Sequence, residues 1–133
     1  MLNELAQYIE NNTSLTIGST LFVGTRPASN YTPCVVLYES PGSVHNFDLI
    51  DRVDVMLQVV AHNTTYPSAR SMAEQVLVLL HGNSGMNLPV IGSGDTPIQV
   101  ASAKVISGPY SLGFDANQLY SVSVNLLLII QNQ

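Results

Sequence analysis

Charge is what this chain has least of. Only 10% of its 133 residues are Asp, Glu, Lys or Arg, against about 25% in an average domain. Surface charge keeps a lone subunit soluble and unassociated. A folded chain this poor in charge is therefore expected to cover part of its surface with other subunits. Positive charge is scarcest: Arg26, Arg52, Arg70 and Lys104 are spread along the chain, and the net charge is −5. Binding nucleic acid by attraction needs a Lys/Arg patch, and these four positions predict none. An acidic surface suits DNA that must slide past without sticking.

Cysteine is nearly absent. Cys34 alone rules out an internal disulfide and a cysteine zinc site, and beside Val35, Val36 and Leu37 it reads as a buried strand thiol. His45, His62 and His81 are not paired at metal-ligand spacing, so each reads as a loop or helix-end residue and no metal or cofactor is expected. Gly82-Asn-Ser-Gly85 lacks the spacing of a nucleophile elbow. Gly92-Ser-Gly94-Asp95 lacks the lysine and the following helix of a phosphate cradle. Asp51 and Asp54 flank Arg52 and read as a solvated rim rather than an acid–base pair. No catalytic machinery is expected. The apolar run Leu126 to Ile130 is far short of the ~20 residues that span a bilayer. The N-terminus has no basic region followed by an apolar one, so neither a membrane span nor a signal peptide is expected.

What is present is periodicity. Hydrophobic residues make up 46% of the chain, enough for one core at this length, so a single domain over residues 1–133 is expected. Arg52 to Gly82 reads as a strand followed at once by a helix. Val53, Val55, Leu57 and Val59 alternate on one face of the strand. His62 to Thr65 form a polar linker with capping chemistry. Pro67 suits a first helical turn. Ala69, Met72, Ala73, Val76, Leu77 and Leu80 form one stripe at helical period, and Gly82 is a natural C-terminal cap. Leu2, Leu5, Ala6 and Ile9 predict a short amphipathic helix at the start, closed by Asn11, Asn12 and Thr13.

The other segments read as strands and breaks. Thr20–Gly24 and Cys34–Tyr38 are predicted strands, separated by a loop carrying Pro27 and Pro33. Pro41-Gly42 is a turn, and 44–51 is irregular or briefly extended. Asn83 to Pro97 is a long Gly/Pro/Ser loop of the kind that is usually functional or mobile. Ile98–Ile106 is a strand that Ser107-Gly-Pro109 is predicted to break, and 112–118 is a turn segment. Leu119–Ile130 is the final strand. The sum is an α+β fold: a mostly antiparallel sheet of about four to five strands, with one long helix (Tyr66–His81) on one face and a short N-terminal helix.

Taken in order, these segments resemble the minor capsid and tail terminator proteins of long-tailed phages. The likeness is carried by Leu21-Phe-Val-Gly24, by Cys34-Val-Val-Leu-Tyr-Glu39 before its Pro-Gly turn, and by Arg52 leading a Val-rich strand. It continues in Tyr66-Pro-Ser-Ala-Arg-Ser-Met-Ala opening the helix that closes at Leu79-Leu-His-Gly82, and in Ser111 to Asn125 leading into the last strand. The resemblance implies a structural virion protein: a ring, usually a hexamer, at the head-proximal end of the tail tube. Such a ring ends tube polymerisation, meets the tube protein and the head–tail connector, and lets DNA through its lumen without specific binding. Assembly would take place in the host cytoplasm. Arg26 in the first loop and Asn83, Met86 and Asp95 in the second are the expected partner-interface residues. A neck or head-closure protein of the same particle is the alternative. A small cytoplasmic ligand-binding or enzymatic α+β domain is a third reading, which requires a pocket of convergent polar groups.

Overall fold

The computed structural model describes residues 2–24, 33–39, 44–45, 52–82, 84–89, 98–114 and 119–132. In chain order its elements are α1 (Leu2–Asn12), β1 (Leu21–Val23), β2 (Cys34–Glu39), β3 (Val44–His45), β4 (Arg52–Asn63), α2 (Tyr66–Leu80), β5 (Ser84–Asn87), β6 (Ile98–Phe114) and β7 (Tyr120–Asn132). The strands form one sheet in the order β1-β2-β4-β7-β6-β5, with β3 added to β4.

The Val-rich strand is the axis of this sheet. β4 pairs antiparallel with β7 from Arg52↔Gln131 to Asn63↔Tyr120, without a register shift. Both strands give every second residue to the core, Val55 to Ala61 on β4 and Val122 to Ile130 on β7, and this fixes the register, because a one-residue slip would turn that set to the other face. Val55, Leu57, Val59 and Ala61 from β4 join Val122, Val124, Leu126, Leu128 and Ile130 from β7 in the core. Each fully buried Leu contributes about 2 kcal/mol relative to an exposed one, so this pair of strands supplies the largest share of the driving force.

Both helices lie on that face. α1 buries Leu5, Ala6 and Ile9. Its end is closed by side chains, with Asn12 Nδ2 donating to Tyr8 O (2.8 Å) and Thr13 Oγ1 to Ile9 O (2.7 Å), which satisfies carbonyls the helix leaves open. α2 starts at Thr65, whose Oγ1 accepts from Ser68 N at 3.3 Å. Pro67 follows in the first turn, where its missing N–H costs nothing. α2 buries Ala69, Ala73, Val76 and Leu80. Met72 and Leu77, from the same predicted stripe, are half-buried at its flanks.

The structure corrects the sequence reading in five places. The sheet has seven strands rather than four to five, and β1 runs parallel to β2. The two additional strands, β3 and β5, have two and four residues, too short for a periodicity signal. β5 arises inside the segment read as a long loop. β4 runs on through His62 and Asn63, which had read as linker. β6 does not break at Ser107-Gly-Pro109. It continues to Phe114 through register shifts at Val100/Ser102, Val105/Ser107, Ser107/Tyr110 and Ser111/Gly113. Proline is tolerated in strands at edges and bulges, and this stretch is both. Leu112 to Phe114, read as turn, are its last residues.

Candidate functional site

Among the expected interface residues, Arg26, Asn83 and Asp95 lie outside the described residues. Met86 sits on β5, opposite Val100 of β6. Its side chain is only 5% exposed and belongs to the hydrophobic core. Met86 therefore fastens β5 to β6 and the core.

The sheet face opposite the helices is polar across its middle, and its side chains are tied to one another. His62 Nδ1 and Ser121 Oγ are hydrogen-bonded at 2.8 Å within the sheet. Gln58 Nε2 donates to Ser123 Oγ at 3.1 Å. Asn125 Nδ2 donates to Ser107 Oγ at 3.0 Å and to Tyr110 Oη at 3.1 Å. These contacts form a ladder across β4, β7 and β6. His62, Ser121 and Ser123 are buried, as are Cys34 and Val36 on β2. A serine beside a histidine invites a catalytic reading, but the pair is sealed within the sheet at 7% and 5% exposure. A substrate could not reach the hydroxyl, and the contact acts as a cross-strand tie. His62 is thus a strand residue rather than the linker residue its sequence context suggested. Among the described residues, no three of His, Cys, Asp and Glu converge to hold a metal, and no helix is long and apolar enough to cross a membrane.

Exposed apolar side chains gather elsewhere. Ile106, Tyr110 and Leu112 on β6 and Tyr120 on β7 are all exposed. β5 covers the outer edge of β6 only from Gln99 to Ser102. The end of α2 then covers Ala103 and Val105, through Gly82 N to Ala103 O (3.0 Å) and Val105 N to His81 Nδ1 (3.2 Å). Beyond Val105, no described strand pairs with that edge. A separate exposure lies on α2, where Val78 closes a shallow depression of about 470 Å³ that also involves Ser71, Met72, Glu74 and Gln75. Arg70 Nε donates to Glu74 Oε1 at 3.0 Å on the same helix face. Hydrogen bonds from the Arg70 guanidinium to Tyr66 and Glu74 hold its pKa above the ordinary arginine value, so it stays charged throughout the working range.

Among the described residues there is no pocket of convergent polar groups, and exposed large apolar side chains include Ile106, Tyr110 and Leu112 on β6, Tyr120 on β7 and Val78 on α2. No curated protein matches the chain. The family model described as bacteriophage tail terminator protein matches residues 8–132, which spans both helices and all seven strands except the first six residues of α1. The chain belongs to the bacteriophage tail terminator protein family, a family of structural proteins of the phage tail.

Proposed function

We propose that the chain caps the head-proximal end of the tail tube as a ring of identical copies, six in number. The ring stops tube polymerisation and presents the joining surface to the head connector. The observation that carries this reading is the family match across nearly the whole chain. The low charge supports it independently, because a ring subunit is flanked by neighbours and needs less charge for solubility. A net charge of −5 suits a lumen through which DNA passes without being held. The role is structural and needs no catalysis.

In this reading Arg26, Asn83 and Asp95 contact the tube or the connector. Met86 serves from beneath, by anchoring β5. Deleting the segment from Asn83 to Asp95 would remove a strand together with the buried Met86 and Leu88. Alanine substitutions at Arg26, Asn83 and Asp95 are the sounder probe, since they remove side chains and spare the strand.

The test is light-scattering mass on the purified chain, with and without tail tubes, followed by negative-stain imaging. A particle near six times 14.3 kDa, or a cap at one tube end, is the expected result. A chain that ignores tubes and binds closed heads would instead be a neck protein.

A further inference from the structure

Two exposed apolar surfaces of unlike shape are left over once the fold is accounted for. The first is the outer arm of the β6–β7 hairpin, where Ile106 and Leu112 are 49% and 52% exposed. Each lies at a register shift, Ile106 between Val105 and Ser107, and Leu112 between Ser111 and Gly113. A bulge residue is left out of the cross-strand pairing and bends the strand locally, which re-aims its side chain. From Val105 to Phe114 no residue is charged. Exposed edges are usually guarded by charge, proline or bulges. Here Pro109 and the bulges oppose strand addition, while no charge screens the apolar side chains. The arm is thus built to dock by its side chains rather than by its backbone.

The second surface is the depression on α2. Met72 and Val78 are its apolar members, and Ser71, Glu74 and Gln75 are polar. A lining of mixed apolar and polar side chains is compatible with a protein interface. The Glu74 carboxylate is already met by Arg70. An apolar side chain entering the depression therefore strands no charge, and the uncharged arm brings none with it.

An uncharged apolar arm on one surface and a depression on another surface of the same chain are two unlike patches, as a head-to-tail contact requires. Such a contact repeats from copy to copy and closes into a ring when the rotation allows. We propose that the Ile106–Leu112 arm of one subunit docks into the Ser71–Val78 depression of a second copy of this chain. This assignment rests on the ring reading above and adds which two surfaces meet. A second copy is the occupant because a ring of identical copies, on which this assignment rests, must join two different surfaces of one chain, and the arm and the depression are two such surfaces with exposed apolar side chains. The arm also has no charge with which to select an acidic or basic partner.

The test uses two variants of the full chain, I106K/L112K and V78K. All three positions are exposed, and the unfolding midpoint of each variant checks that the fold is kept. Mass is read by light scattering in the presence of tail tubes and, at high concentration, without them. Wild type is expected to assemble, and each variant alone is expected to associate at least about tenfold more weakly and remain at 14.3 kDa. An equimolar mixture of the two is expected to give a dimer and nothing larger, because only one intact arm and one intact depression remain to meet. Rings formed by either variant would overturn the assignment and leave the ring reading standing. Variant rings that no longer bind tubes would also overturn it, by giving the surface to the tube protein. Wild type that never associates, alone or on tubes, would remove the ring reading and this inference together.

Discussion

Gly108 shows how much one residue holds at the bulged end of the sheet. Its φ is +96°, and a Cβ there would lie 2.6 Å from Ser123 O and 3.1 Å from Val124 Cα. Both neighbours are backbone of the central strand β7 and cannot step aside. Gly108→Ala is expected to cost about 1–3 kcal/mol, read as a lower midpoint in chemical unfolding. An unchanged midpoint would mean that the arm is not held against β7 at this point. Ser121 is a second such position. Ser121→Ala takes away the hydroxyl 2.8 Å from His62 Nδ1 in a buried setting, and the cost of a buried polar atom losing a partner is about 1–3 kcal/mol. Ser121→Thr, which keeps the hydroxyl, is expected to recover part of that loss. Ser107, near the rim, is exposed and tied only to Asn125 among the contacts described above, so Ser107→Ala is expected to shift the midpoint far less.

At the scale of elements, helix α2 has the clearest local cause. Its start depends on Thr65 Oγ1 and its end on His81 and Gly82, where His81 N donates to Leu77 O at 2.7 Å. Thr65→Ala is expected to cost about 1 kcal/mol, measurable by thermal or chemical unfolding, and Thr65→Asp is expected to cost little because Asp also caps well. This helix and strands β2, β4 and β7 were legible in the sequence because their signals are local and long: β-branched alternation, a stripe at helical period, and a Thr/Pro start with a Gly end. β5 was not legible, because so short a strand exists only through its pairing with β6, whereas the two residues of β3 fall where a brief extended piece was one expectation. The continuation of β6 was hidden for a different reason. Ser107, Gly108 and Pro109 are the residues of a turn, and only their position on the bulged outer strand makes them strand residues. The candidate surface was legible in part. The paucity of charge pointed to partners, but the register shifts that expose Ile106 and Leu112 leave no pattern in sequence. Met86 was expected at an interface from its place in a Gly-rich segment, and its 5% exposure follows from the pairing of β5 with β6.

At the scale of the whole molecule, the described residues form one sheet with both helices on one face and a hydrogen-bonded polar ladder across the middle of the other. Its exposed apolar side chains are concentrated on the arm of the longest hairpin and on the outer side of α2. That distribution, with 10% charge, suits the proposed ring, in which neighbours would cover part of each subunit. Membership of the tail terminator family gives those neighbours a setting in the phage tail. The central claim is that the chain ends tube growth, and the most direct measurement is of growth itself. Tail tubes would be incubated with the purified chain, freed of excess, and supplied with fresh tube subunits, with lengths read by negative-stain imaging. Tubes treated with the chain are expected to stop elongating at the capped end while untreated tubes lengthen. Treated tubes that lengthen as fast as untreated ones, with no added density at either end, would contradict the account.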